Sequence, residues 1–237
     1  IGGLAASSTE HQEVLMWAIV PIKTFDRAKQ RLSNVLSEEE RRGLMLAMAR
    51  DVITSLSSCK ELSGILIVSR AREADSLATA FATERFSESP TASLAEALTQ
   101  ATLHLVANFN AEGVAVVPAD VPGIEAEEID RLIRSNPGIT IMPDSDNIGT
   151  NGLICAPPLA IPYIFDGKSF KPHVDEAYSK NLSPKIVPAS RFALDIDVPE
   201  DLLSVMQEAP KTQTATYLSR SGIEERLINS LDRGAWL

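Results

Sequence analysis

The sequence predicts an α/β protein in which a mostly parallel sheet is covered by helices on both faces. Short, continuously apolar runs alternate along the chain with longer stretches whose apolar residues recur at helical spacing. The runs lack the apolar–polar alternation of a half-exposed strand, so both faces of the sheet must be buried, as crossover helices require. No internal repeat or low-complexity linker divides the chain, and 237 residues suit one large domain better than two small ones.

In chain order, residues 17–21 form the first buried strand. Ser37 with Glu40 is a capping box, after which Leu44, Met45, Met48, Val52, Ile53 and Leu56 share one helical face. A strand over 64–68 and a helix over 71–82 follow, then a helix over 94–106 and the most apolar strand, 113–117. Residues 124–133 are helical and end at Asn136-Pro137-Gly138. Strands over 139–142 and 153–155 flank a polar loop, and residues 172–181 form a short helix. The spacing then predicts strands over 185–187 and 193–196 and a helix over 199–208 with proline in its first turn. Residues 1–15 read as a disordered leader or an expression remnant, 16–210 as the folded domain, and 211–237 as a tail, loose over 211–221 with a small helix over 223–231.

With 44% apolar and 23% charged residues the chain reads as an ordinary soluble globular protein. A net charge of −10 excludes the basic surface that nucleic acid demands. It does not exclude a nucleotide, whose phosphates can be neutralised by Mg²⁺ on carboxylates. No apolar run approaches a membrane span, and there is no basic-then-apolar signal layout. The expectation is a cytoplasmic protein with no membrane partner, its two cysteines, Cys59 and Cys155, reduced.

Ligands of open α/β sheets bind beyond the carboxyl ends of the strands. Three places there carry chemistry. Asp120 is held between Pro118 and Pro122 at the exit of the most apolar strand, either as a presented carboxylate or as a cap for the next helix. Asp195 and Asp197 lie two apart in an extended segment and point to one side, where with Asp120 they can hold a hard cation; the alternative for Asp197 is a cap on the helix at Pro199. The basic cluster Lys23, Arg27, Lys29 and Arg31 follows the first strand, without any Gly-rich phosphate loop, so phosphate binding would rest on side chains.

In order along the chain stand Ile19-Val20-Pro21-Ile22-Lys23, Ala28-Lys29-Gln30-Arg31-Leu32, Pro118-Ala119-Asp120-Val121-Pro122, Pro143-Asp144, Gly149-Thr150-Asn151, Gly167-Lys168-Ser169-Phe170, His173 and Asp195-Ile196-Asp197-Val198-Pro199-Glu200-Asp201-Leu202. This ordered set resembles the 2-phospho-L-lactate guanylyltransferases. The resemblance implies the nucleotide-diphospho-sugar-transferase form of the Rossmann-like sheet. It also implies transfer of GMP from GTP to 2-phospho-L-lactate, phosphoenolpyruvate or 3-phospho-D-glycerate, with release of pyrophosphate, in coenzyme F-420 biosynthesis. By that resemblance Asp120, Asp195 and Asp197 match Mg²⁺ ligands, and Lys23, Thr150, Gly167 and Ser169 match contacts to the acid. Asn151 and His173 join the substrate-binding set, His173 either orienting a phosphate or the Ser169 loop or serving as a satisfied structural histidine. Lys23, Lys29, Arg31 and Asp120 carry catalysis, and a homodimer is expected. Two departures stand out. Asn147 and Ile148 replace a glycine and a small residue, and Ser93-Leu94-Ala95 replaces the Gly-Leu-Asn usual near the nucleotide. The competing readings are a cytidylyl- or molybdopterin guanylyl-type transferase and a silent nucleotide-binding relative.

Overall fold

The computed structural model describes residues 14–23 and 29–231. The predicted leader, up to residue 13, and Arg27 lie outside them. Leu15, assigned to the leader, is already tied into the fold, its N–H donating to Glu112 Oε2 and its carbonyl accepting from Glu112 N.

The strands are β1 (Met16–Pro21), β2 (Gly64–Ser69), β3 (Glu84–Ser87), β4 (Gly113–Val116), β5 (Ile139–Pro143), β6 (Thr150–Cys155) and β7 (Lys185–Ile186). Between and after them run α1 (Glu38–Ser57), α2 (Glu73–Phe81), α3 (Leu94–Phe109), α4 (Ala126–Arg134), α5 (Phe170–Ser179), α6 (Pro199–Glu208), α7 (Gln213–Arg220) and α8 (Ile223–Leu231). The sheet has the order β3-β2-β1-β4-β6-β5-β7. Every pairing is parallel except those of β6, which runs against both β4 and β5. The expected mostly parallel sheet is thus met.

Alternate residues of the central strands enter two separate cores, which is why the strands read as continuously apolar. Met16, Ala18 and Val20 of β1 pack with the apolar faces of α1, α4, α6, α7 and α8. Trp17 and Ile19 pack on the other side with Leu98, Ala101 and Leu105 of α3 and Ala177 of α5. The Ser37–Glu40 capping box forms as expected, and a second, Ser93–Glu96, starts α3.

Three expectations are corrected. Residues 193–196 form no strand: a 3-10 turn at Arg191–Ala193 buries Phe192, and an irregular extended segment follows. The 124–133 helix starts later, at Ala126, leaving Ile124 as a buried loop anchor. The supposedly loose 211–221 stretch contains α7, whose Leu218 is fully buried, and Ile223 and Leu227 of α8 enter the same core. The buried carboxylate of Asp51 on α1 holds the start of α7, accepting from Gln213 N at 2.7 Å, Thr214 N at 2.8 Å and Thr214 Oγ1 at 2.6 Å. Gly43 gives Tyr217 room to lie against α1, where its hydroxyl donates to the Glu40 carbonyl.

Candidate active site

The chain leaves β1 toward β2 and β3 on one side, then returns to build β4 on the other. That reversal opens a crevice beyond the carboxyl ends of β1 and β4, the place where such sheets take ligands. Because β6 is antiparallel, its first residues come to the same edge. Val116 pairs with Leu153, so Thr150 and Asn151 project past the end of β4 beside Asp120. One cleft of about 640 Å³ lies here, and Lys23, Lys29, Arg31, Asp120, Thr150, Asn151, Gly167, Ser169, Asp195 and Asp197 all line it.

At its centre the Lys29 ammonium lies 2.7 Å from Asp120 Oδ2 and 2.7 Å from Asp197 Oδ1, with Arg31 Nη1 at 3.5 Å from Asp197 Oδ2. The Lys29 side chain is only 8% exposed. Burial alone would lower its pKa, but the two carboxylates more than offset that and raise it, so the ammonium stays charged. Asp197 is in turn held below its ordinary value, burial being outweighed by Lys29 and Arg31. Lys29 takes a left-handed backbone conformation, φ 49°, at the start of the turn over Gln30–Leu32.

The Asp195-Ile196-Asp197 segment keeps an extended alternation without being a strand. Ile196 is fully buried and its N–H donates to the Asp120 carbonyl at 3.1 Å, which leaves both aspartates on the cleft side. The cap alternatives do not hold. Glu125 is the N-cap of α4, not Asp120. Val198 is the N-cap of α6, and Asp201 accepts from the backbone N–H groups of Asp197 and Val198 at 2.7 and 2.8 Å. Asp195 accepts from Asn151 Nδ2 at 2.9 Å. Burial first, then Asp120 and, less strongly, Asp197, push the Asp195 carboxyl up to about 6.

Asn151 lines the cleft. Its amide is engaged with Asp195 and with the Phe192 carbonyl at 2.9 Å, so it sets the Asp195 segment rather than offering a free donor. His173 is fully buried and outside the cleft lining, in line with the structural alternative weighed for it. Its ring meets Thr150 Oγ1 at 3.0 Å and accepts from Ile164 N at 3.0 Å, and desolvation pushes its pKa down to about 4. A neutral, satisfied histidine behind the wall is what remains.

The far wall comes from two stitched loops. Asp144 accepts from Ile148 N and Gly149 N at 2.8 and 2.7 Å, and a Cβ on Gly149 would lie 2.7 Å from Asp144 Oδ2. Asn147, φ 57°, supplies the left-handed step that asparagine tolerates. Phe170 N then donates to the Ile148 carbonyl at 3.0 Å, joining this loop to the Gly167–Ser169 turn. Ser169, 1% exposed, is the N-cap residue of α5, yet its side chain makes no capping bond and lines the cleft. Leu94 and Pro118, from segments quoted above, complete an apolar wall with Leu98 and Val116, which sequence reading left unassigned because at helical and strand spacing they look like core. Asp144, quoted only as part of a motif, proves to be the loop's anchor.

The described residues of the cleft include three cations, Lys23, Lys29 and Arg31, against five carboxylates, Asp120, Asp144, Asp146, Asp195 and Asp197. No three His, Cys, Asp or Glu side chains among the described residues are gathered to hold a metal ion, and the Lys29 ammonium lies between Asp120 and Asp197.

A switch-point cleft with carboxylates and lysine on an antiparallel-augmented Rossmann-like sheet is a ligand site, and the comparisons with known proteins make it that of a nucleotidyltransferase. The solved structures agree on the fold: a protein described as a nucleotide-diphospho-sugar transferase from Desulfovibrio desulfuricans matches with a TM-score of 0.72 at 17% identity, covering 91% of this chain and 97% of that one. A nucleotidyl transferase of Methanothermobacter matches with a TM-score of 0.59 at 14% identity, covering 81% and 96%. The model of the family described as "Guanylyl transferase CofC like" matches residues 16–233. A 2-phospho-L-lactate guanylyltransferase of Methanobrevibacter smithii is 31% identical over 219 residues, 92% of this chain and 96% of the relative. A phosphoenolpyruvate guanylyltransferase of Roseiflexus sp. is 33% identical over 216 residues, 90% and 94%. The chain belongs to the CofC-like guanylyltransferase family.

Proposed function

We propose that this enzyme transfers GMP from GTP to a small phosphorylated carboxylic acid, of the 2-phospho-L-lactate, phosphoenolpyruvate or 3-phospho-D-glycerate kind, and so serves coenzyme F-420 biosynthesis in the cytoplasm. One juxtaposition carries the reading: the Lys29–Asp120–Asp197 cluster faces the same cleft as Thr150, Gly167 and Ser169. A charged cluster suits the triphosphate, and a corner of hydroxyls at the start of α5 suits the second anion.

The chemistry asks little of acid–base groups. A non-bridging oxygen of the acceptor phosphate attacks the α-phosphorus of GTP, and as that bond forms the bond to the β-phosphate breaks, its electron pair leaving with pyrophosphate. The attacking oxygen is already anionic and needs no base, which agrees with a buried, neutral His173. What remains is to hold two anions in line and to neutralise charge between them. Lys29, held by two carboxylates, Lys23 and Arg31 are the positive charges the described residues bring to the cleft.

Carboxylate oxygens are the ligands Mg²⁺ takes, and the Lys29 ammonium now fills the space between Asp120 and Asp197, so an ion held there would take its place. Carboxylates outnumber cations among the described lining residues, and burial, then like charge from Asp120 and Asp197, pushes the Asp195 carboxyl up to about 6. Asp120, Asp195 and Asp197 would hold the ion, whose contribution is charge neutralisation across the phosphates.

The test is pyrophosphate release by the whole protein with Mg²⁺, each nucleoside triphosphate and each of the three acids, with and without excess EDTA. GTP with one acid should give turnover that EDTA abolishes. Faster release with another triphosphate, or full turnover in EDTA, would overturn the nucleotide or the metal assignment respectively.

A further inference from the structure

We propose that His173 is a positioning residue for the acceptor acid: held in one tautomer from behind the wall, it reserves the hydroxyl proton of Thr150 for the anion in the cleft. The inference rests on reading Thr150 as an acceptor contact.

Both ring nitrogens of His173 are engaged. Ile164 N lies 3.0 Å from Nε2, and a backbone amide always carries its hydrogen, so Nε2 must be the unprotonated acceptor. A neutral imidazole then has its hydrogen on Nδ1. The partner of Nδ1 is Thr150 Oγ1 at 3.0 Å, so the hydroxyl accepts rather than donates there. Had the Ile164 bond been absent, the ring could flip tautomer and draw the hydroxyl hydrogen to itself. With it present, that hydrogen is left over, and Thr150 makes no other side-chain hydrogen bond among the described residues. Thr150 lines the cleft while only 6% exposed, so its hydrogen has the cleft as its outlet.

The scaffold enforces the pair. Thr150 begins β6 and His173 lies in the first turn of α5, with its backbone N–H bonded to the Ser169 carbonyl at 2.9 Å. Phe165, itself in the cleft lining, sits edge-on to the imidazole with centroids 5.3 Å apart. One buried ring therefore ties together the start of β6, the 164–165 segment and the Ser169 turn.

Two measurements test this on the full chain. A long-range ¹⁵N–¹H correlation of the His173 imidazole should show hydrogen on Nδ1 and none on Nε2; the opposite tautomer overturns the proposal. Steady-state kinetics should show Thr150→Val raising the acceptor's KM about tenfold or more with the GTP KM within about twofold, and Thr150→Ser restoring it. His173→Asn keeps a donor near the Nδ1 position and should leave the acceptor KM near normal, whereas His173→Gln can accept from Ile164 N through its amide oxygen but sets no donor at the Nδ1 position, so the Thr150 hydroxyl loses its orientation and the acceptor KM should rise, by less than in Thr150→Val. If both histidine variants change only the melting temperature, the residue is merely structural and the proposal fails. If the wild type turns over none of the acids, the guanylyltransferase reading fails instead. Calorimetric binding of phosphoenolpyruvate then decides: weaker binding by Thr150→Val supports the proposal, while equal or no binding overturns it.

Discussion

At the residue scale the decisive group is Lys29, a buried ammonium shared by Asp120 and Asp197 at 2.7 Å each. Removing one partner of such a cluster leaves buried charge under-compensated. Asp197→Asn keeps the shape but loses the charge that Lys29 and Arg31 answer, so turnover should fall about 100-fold or more, with a small change in Tm. Asp201→Ala should do the reverse. It strips the acceptor from the N–H groups of Asp197 and Val198, costing about 0.5–2 kcal/mol while leaving kcat in the folded protein close to normal. Activity and melting temperature measured together on both variants check this; normal turnover in Asp197→Asn would remove that carboxylate from the chemistry.

The elements explain why these residues meet. An antiparallel β6 inserted between β4 and β5 brings a strand's beginning, Thr150 and Asn151, to an edge otherwise made of strand ends. Helix α7 shows the converse case, an element with weak sequence signal held by specific bonds. It buries only Thr214, Ala215 and Leu218, too few to mark an apolar face in a polar stretch. Its first amides are instead satisfied by Asp51, 162 residues away in the chain, through three bonds of 2.6–2.8 Å. Asp51→Ala should therefore cost about 2–3 kcal/mol, or roughly 4–12 °C in Tm for a domain of this size, because hydrogen bonds to a charged group are lost and buried donors are orphaned. The cleft does not include Asp51, so kcat at low temperature should hold. A thermal melt with a parallel assay decides, and an unchanged Tm would show that α7 is held by packing alone.

For the molecule as a whole, His173 makes a contribution to stability that acid removes, opposite in sign to that of the raised Asp195 carboxyl. Its ordinary pKa is 6.5, and in the fold desolvation lowers it to about 4. Below pH 6.5 the unfolded chain takes up a proton that the folded protein refuses, so stability falls as pH falls and levels off near pH 4. For a fully buried ring that loss is on the order of 3 kcal/mol. Chemical denaturation of wild type and His173→Gln between pH 7 and 4 should show a steeper decline in the wild type; parallel curves would mean the ring protonates freely in the fold.

The alternation of apolar runs and amphipathic stretches determined the layers, the strand cores and both faces of burial, because periodicity is local and each residue reports its own environment. It also determined that Asp195 and Asp197 face one way, since extended backbone alternates whether or not it pairs. The edge strand β3, Glu-Arg-Phe-Ser, left no such trace, as none of its residues is buried. Ordered motifs indicated the family, yet could not say which polar residues touch the cleft. His173 sits among cleft residues in sequence but lies behind the wall on Ile164 N, while Asn151 and Asp144 line the cleft with their side chains engaged by Asp195 and by the Ile148–Gly149 turn. Only tertiary structure decided that, because a donor's partner is fixed by distance across the fold: Lys29 and Asp197 are 168 residues apart along the chain and 2.7 Å apart in space.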